Sequence, residues 1–301
     1  MFLFSFGQES ETSPAAEDNA VSSPLAPCRH IALDADLLEK HIQVIGEVVP
    51  TMAGSLLKRN VADIKFEIAE TDDLEDGNLL ANVVVSQTDL IPGVYEGGLK
   101  TWECAVDLVN YLASLDPAEL HGKRVIELGC GSSLPGIFCL TQDAVVDFQD
   151  YNEDVLRLVT IPNVLLNTTQ RPSNPPTHTS VTFDAELDFS TLSNIPSRFW
   201  AGDWGSLKET LATLAEDDKY DIVLTSETIY ASESHARLLD LIQATLKTDG
   251  VLFVAAKTTY FGCSGSLPTF LHLVRQRGAR EIGTVWVETQ SVRREVVRIR
   301  F

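Results

Sequence analysis

From Arg124 onward, apolar residues fall in short, nearly unbroken runs separated by segments of helical period, the pattern of a parallel sheet buried on both faces and covered by helices. The runs Arg124 to Leu128, Val145 to Gln149, Arg198 to Ala201, Tyr220 to Ser226 and Val251 to Lys257 predict five strands. Trp102 to Ala113 predicts a helix leading into the first of them, and His235 to Thr245 a helix between the last two. The pattern then changes. Glu281 to Thr289 and Arg293 to Phe301 predict two strands joined by a short turn, an antiparallel hairpin added to a parallel sheet.

The first third of the chain reads differently. Residues 8 to 28 are rich in Ser, Glu, Pro and Ala, too poor in apolar side chains to offset the entropy of ordering, and are expected to be disordered. Leu33, Leu37, Leu38, Ile42, Ile45 and Val49 recur near helical period and stop at Pro50, which predicts a helix. Ile64 to Ile68 and Ala81 to Val85 predict strands of a hairpin around the acidic turn Thr71 to Asn78. Between Thr168 and Ile195 a Pro-, Ser-, Thr- and Asn-rich stretch shows no strong period and reads as a long loop. The expected organisation is a disordered segment over 1–30, an extension of helix and hairpin over 31–95, and one α/β domain over 96–301.

The candidate chemistry lies where the first predicted strand ends. Glu127-Leu-Gly-Cys-Gly131 places an acid two residues before a glycine-paired turn, and Gly136 falls early in the next helix. Such a turn lets the backbone approach a nucleoside cofactor while helix N–H groups face it. A dinucleotide fingerprint requires glycine three residues after Gly131, and Leu134 stands there, so that match fails. Asp150 closes the second strand, 19 positions past Gly131, where a carboxylate meets ribose hydroxyls. The turn resembles motif I of S-adenosylmethionine-dependent methyltransferases, in which the acid contacts the methionyl ammonium side directly or through water. Ser133 departs from that motif, standing where a third glycine is usual.

Composition narrows the setting. A chain of 301 residues, 44% hydrophobic, can hold one sizeable α/β core with an extension. Its formal net charge of −20 opposes phosphate backbones and anionic lipid surfaces and suits either a basic protein partner or simple solubility. Cys28, Cys104, Cys130, Cys139 and Cys263 are odd in number without a C-x-x-C pair, as expected of reduced thiols in the cytoplasm or nucleus. Met1 to Phe6 is apolar but lacks a basic flank and signal-peptide length, and no segment approaches a membrane span, so a soluble intracellular protein is expected. Neither metal-ligand spacing nor a P-loop is present, and the six histidines are scattered.

Further segments narrow the resemblance. Asp89-Leu-Ile-Pro-Gly-Val-Tyr-Glu-Gly-Gly-Leu-Lys-Thr-Trp-Glu-Cys104, Phe148-Gln-Asp-Tyr-Asn152 with Ile161-Pro-Asn163, Thr225-Ser-Glu-Thr-Ile-Tyr230 and Lys257-Thr-Thr-Tyr-Phe-Gly262 closely resemble the eukaryotic histidine protein methyltransferase family, over roughly Asp89 to Phe301. The resemblance implies a class I methyltransferase fold with a seven-stranded, mostly parallel sheet and C-terminal antiparallel hairpin. It also implies S-adenosylmethionine as cofactor and a histidine of a basic, large-subunit ribosomal protein as acceptor. A monomer is the default for this architecture.

Under that reading Gly129 and Gly131 expose backbone to the methionyl part, Asp150 takes the ribose diol, and Gln149 or Tyr151 lines the same edge. In Gly202-Asp-Trp204, Asp203 accepts from the adenine amine and Trp204 lies against the ring or packs in the core. Trp102 and Glu103 approach the cofactor's amino-acid end, although Trp102 is equally arguable as core, and Ser226 belongs to the same lining. Glu227 is expected to accept the acceptor imidazole's N–H and Tyr230 to pack on its ring; a Glu that only caps the next helix is the alternative. Lys257 and Tyr260 are expected to border the substrate cleft, with a snorkelling surface lysine the equal alternative for Lys257. The acid-x-x-Tyr pattern also resembles lysine-specific protein methyltransferases, and a non-catalytic module that binds cofactor or ribosomal protein is a third reading.

Overall fold

The computed structural model describes residues 26–70, 94–169 and 181–301. Its larger sheet holds β1 (Arg29–His30), β4 (Arg124–Leu128), β5 (Val145–Asp150), β7 (Phe199–Ala201), β8 (Tyr220–Ser226), β9 (Leu246–Lys257), β10 (Glu281–Glu288) and β11 (Arg294–Arg300). A smaller one holds β2 (His41–Thr51), β3 (Gly54–Arg59) and β6 (Thr182–Asp188). The helices are α1 (Ala35–Leu38), α2 (Val61–Glu70), α3 (Glu103–Leu112), α4 (Leu134–Thr141), α5 (Ile161–Thr168), α6 (Trp204–Leu211), α7 (His235–Thr245) and α8 (Leu267–Gln276). A turn at Glu153–Val155 and a π-helical turn at Leu156–Thr160 run without a break into α5.

The larger sheet runs in the order β1-β7-β5-β4-β8-β9-β11-β10. Strands β7, β5, β4, β8 and β9 are parallel, while β11 is antiparallel to β9 and β10 to β11. This is the expected doubly wound class I methyltransferase sheet with its antiparallel hairpin, extended by β1 as an eighth strand along β7. Strand β4 shows why the centre forms. Val125 faces the cluster built on α3, α4, α5 and the smaller sheet, whereas Ile126 and Leu128 face the cluster built on α6, α7 and α8. All three have no exposed area, and each such side chain contributes about 1.5–3 kcal/mol of apolar burial. The loops after β4 and β8, on either side of the switch in strand order, therefore meet at one point on the sheet's C-terminal edge.

The extension departs from its predicted elements. Only Ala35–Leu38 of the predicted helix is helical, capped by Asp34, whose Oδ1 accepts from Leu37 N at 3.0 Å. The rest is β2, because Ile42, Val44, Gly46 and Val48 also alternate with period 2 and the run finds a partner on each side, β3 and β6. The predicted strand Ile64 to Ile68 is instead part of α2: Asn60 Oδ1 accepts from Ala62 N at 2.8 Å at its start, and Ile64 and Ile68, one turn apart, are buried while Phe66 is 62% exposed. The stretch predicted as a loop contains β6, whose Phe183, Ala185 and Leu187 alternate inward, followed by a 3₁₀ turn at Phe189–Asn194. The extension thus does not stand apart, since its sheet is completed by a strand from beyond residue 96. The predicted strand Ala81 to Val85, the turn Thr71 to Asn78 and most of the segment expected to be disordered lie outside the described residues.

The five cysteines are free thiols. No described helix is long and apolar enough to cross a membrane, and no group of acidic, His and Cys side chains among the described residues is placed to hold a metal.

Candidate active site

The turn after β4 is built around a buried carboxyl. Glu127, 1% exposed, accepts at Oε2 from Ser133 Oγ at 2.6 Å and from Gly136 N at 2.8 Å. A Cβ on residue 136 would lie 2.6 Å from that oxygen, so the glycine lets α4 close on the acid. Ser133, where the motif usually has a third glycine, adopts a left-handed φ of 54° and offers the hydroxyl that Glu127 uses. Burial pushes the Glu127 carboxyl up to about 8, against the two hydrogen bonds that hold it down. Its Oε1 is buried with no partner among the protein groups. An acceptor left open at this point suits the ammonium end of S-adenosylmethionine, directly or through water.

Asp150 stands at the end of β5 and is 5% exposed. Oδ2 accepts from Gly131 N at 2.9 Å and Oδ1 from Asn152 N at 3.1 Å. Burial raises it to about 6 in spite of those bonds. Thr160 Oγ1 donates to Gly131 O at 2.6 Å and Asn163 Nδ2 to Ser132 O at 2.9 Å, so the helical run after β5 clamps the turn from behind. Gly129 is left-handed at φ 63°, and a Cβ there would lie 2.5 Å from Thr228 Cγ2, which brings the turn after β4 against the turn after β8.

Several expected lining residues serve the protein itself. Gln149 has no exposed area: Oε1 accepts from Gly129 N at 3.1 Å and Trp204 Nε1 at 2.8 Å, and Nε2 donates to Gly202 O at 2.9 Å. It ties three strand ends together and does not offer an edge to a ligand. Asp203 caps α6, Oδ1 accepting from Gly205 N at 2.8 Å with Arg237 Nε 3.5 Å from Oδ2, while its own N–H donates to Ala26 O at 3.0 Å. Trp204 is half-buried beside Gly129, and Gly202, at φ 121°, packs on Cys28. Tyr151 and Ser226 are half-buried at the ends of their strands.

Next to these turns opens a cavity of about 280 Å³ lined by Trp102, Glu227, Tyr230, Lys257 and Tyr260, with Glu96 on its wall. Glu227 follows β8 with a left-handed φ of 57°, strained for a residue with a Cβ, and its N–H donates to Ala255 O at 2.9 Å. Its side chain is 5% exposed, Lys257 Nζ lies 3.3 Å from Oε1, and the Cys104 thiol and Tyr260 hydroxyl stand within hydrogen-bonding reach of the carboxylate. Burial first and the Glu227 charge second push the Tyr260 phenol and the Cys104 thiol far up, so both remain protonated beside it. The Tyr230 hydroxyl donates to Glu96, and its ring meets that of Tyr260 edge-on at 6.5 Å. Trp102 donates to Gly97 O at 3.1 Å, and the ammonium groups of Lys100 and Lys257 lie 4.9 and 5.2 Å from its ring. Glu103, expected at the cofactor's end, is 56% exposed in its side chain and faces Lys257 and Arg294.

Glu227, Tyr230 and Trp102 are thus gathered in one cavity, and Glu127, Gly129, Gly131 and Asp150 in the adjoining turns. Glu96, Cys104, Asn163 and Thr228 carry parts that the reading of the sequence did not assign, although all four lie inside segments that bear the family resemblance.

No family model matches the chain. It is 38% identical over 202 residues to a histidine protein methyltransferase 1 homolog of Dictyostelium discoideum, a match covering 67% of this chain and 56% of that protein. With histidine protein methyltransferase 1 of Schizosaccharomyces pombe it shares 31% identity over 98% of this chain and 92% of that protein. The bovine homolog is 32% identical over 91% of this chain and 74% of its own length. Matched at 31% identity over 98% of its own length and 92% of the Schizosaccharomyces pombe protein's, the chain belongs to the histidine protein methyltransferase 1 family.

Proposed function

We propose that this protein transfers a methyl group from S-adenosylmethionine to an imidazole nitrogen of a histidine in a basic protein, a large-subunit ribosomal protein. The observation that carries this is Glu227: a carboxyl group held in a strained conformation at the end of a central strand and buried on the wall of a cavity lined by Trp102, Tyr230 and Tyr260, the rings that would enclose an imidazole. Bound S-adenosylmethionine supplies an electrophilic methyl carbon, whose bond to sulfur breaks as the bond to nitrogen forms. The turn at Gly129 and Gly131, with Glu127 behind it and Asp150 beside it, would hold the cofactor.

The protein's own work is alignment and the exclusion of water. Glu227 accepts the N–H of one ring nitrogen, which turns the lone pair of the other toward the methyl, and its negative charge stabilises the ring as it becomes cationic; that N–H proton then leaves to solvent, giving neutral methylhistidine. Trp102, Tyr230 and Tyr260 wall the ring in. Imidazole, with a reference pKa of about 6.5, is largely neutral at pH 7 and needs no strong base. A net charge of −20 favours encounter with a basic partner. The same reading takes the protein as a monomer, the default for this architecture, working in the cytoplasm and nucleus, where its free thiols would stay reduced.

The test incubates the purified chain and labelled S-adenosylmethionine with basic proteins from cells lacking this enzyme, then maps the modified residue by fragmentation mass spectrometry. Methylhistidine in a large-subunit ribosomal protein is the expected product. Methyllysine in its place, or cofactor binding without product, would sink the proposal. With the substrate in hand, Glu227→Gln should lower kcat by about 10²-fold or more and leave cofactor affinity unchanged; full turnover in that variant would remove Glu227 from its role.

A further inference from the structure

Lys257 closes β9 inside the cavity, with its side chain 18% exposed. Its Nζ stands 3.3 Å from Glu227 Oε1, 3.8 Å from Glu103 Oε2 and 5.2 Å from the Trp102 ring. Its main-chain N–H donates to the Tyr260 hydroxyl at 3.3 Å, so the following turn fixes where the side chain starts. Glu103 is shared with Arg294, at 3.6 Å, and Arg294 in turn holds Asp107. Among the described residues no other cation lies within ion-pairing distance of Glu227. The other titratable groups on these walls are Cys104 and Tyr260, both kept protonated, Tyr230, bonded to Glu96, and Cys263.

A buried carboxylate this poorly hydrated attracts a cation strongly. Left alone, Glu227 would favour an acceptor that arrives as an ammonium. The chain supplies that ammonium itself. The geometry points to Lys257 as the residue that sets the acceptor class: its Nζ takes the cation's place beside Glu227, so that the cavity accepts a neutral ring N–H and disfavours a second ammonium. This rests on the proposed reading of the cavity as the acceptor site. Lys257 touches neither reacting atom in that arrangement and acts as a positioning and specificity residue through Glu227.

The experiment compares the full chain with Lys257→Met, which removes the ammonium and keeps an unbranched apolar side chain, and with Lys257→Arg. The substrates are ribosomal protein from cells lacking the enzyme and, as a second probe, the labelled acceptor protein with its histidine replaced by lysine. Cofactor affinity by calorimetry reports whether each variant is folded and loaded. Labelled methylhistidine and methyllysine are quantified from pH 6 to 9. The unsubstituted protein should yield methylhistidine alone, with a rate rising through about pH 6.5 and flat above it. Lys257→Met should bind cofactor within about twofold of normal, lose about tenfold of kcat/KM on histidine, and gain at least about tenfold on the lysine probe, with a rate still climbing at pH 9. Lys257→Arg should keep the histidine preference. A Lys257→Met protein that binds cofactor yet keeps the original ratio of the two products, or loses histidine methylation without gaining lysine methylation, overturns the inference and leaves the proposed function standing. Absence of methylhistidine from the unsubstituted protein overturns both.

Discussion

Glu127 shows how a single buried group makes stability depend on pH. Its folded value of about 8 lies above the ordinary 4.5, chiefly because burial penalises the carboxylate. A group raised in the folded state contributes its stability fully below the ordinary value and loses it as pH climbs through the folded one. The Tm of the natural chain relative to Glu127→Gln should therefore be highest near pH 5 and fall steadily toward pH 8, which scanning calorimetry across that range would reveal. A difference in Tm that stays flat would mean the carboxyl is not paying for its burial. Asp150 is raised in the same sense, to about 6, and contributes a smaller total over a lower window. At this scale the sequence was informative about identity more than use. The glycine pattern marked Glu127 and Asp150, but only packing decided that Gln149 and Asp203 bond to the protein's own backbone. Side chains of that kind bond to whichever backbone the fold brings within reach, and sequence spacing does not say which.

Among the elements, the contact between the turns after β4 and β8 couples the cofactor side of the site to the acceptor side. Gly129→Ala places a Cβ in a left-handed conformation, at a cost of about 1–2 kcal/mol, and against Thr228 Cγ2. Cofactor affinity measured by calorimetry should fall about tenfold. Adding Thr228→Ser removes the clashing methyl while the hydroxyl keeps its 2.6 Å contact with Thr225, so the double variant should recover part of that loss and never all of it. Full recovery would assign the whole effect to the clash, and none would assign it to the backbone. The parallel strands themselves were legible, because each is an apolar run buried on both faces. The extension was not. In Leu33 to Val49 residues of helical and of period-2 spacing overlap, and the choice between them fell to the strands that pair with it, one of which lies more than 130 residues away in sequence.

Across the whole molecule, α5 joins three parts that the sequence reading kept apart. Asn163, fully buried, accepts from Arg59 N at 2.6 Å in β3 and donates to Ser132 O at 2.9 Å in the cofactor turn, and Asn167 accepts from Leu57 N at 2.9 Å and donates to Leu57 O at 2.7 Å. Asn163→Ala leaves two buried backbone groups unpaired, roughly 1–3 kcal/mol each, and should lower Tm by about 5 °C or more while weakening cofactor binding. Asn167→Ala should cost similar stability with cofactor affinity kept, since it does not reach the turn; equal losses of affinity in both would deny the extension any specific hold on the site. The sequence by itself determined the central sheet, the C-terminal hairpin, the glycine turn with its two carboxyls, and the family, because these follow from local periodicity and from short contiguous motifs. Tertiary structure alone decided that β6 completes the extension's sheet, that α5 braces the cofactor turn, and that Lys257 lies beside Glu227. Those contacts join residues far apart in the chain, and their energy exists only once folding has removed water and brought the partners together.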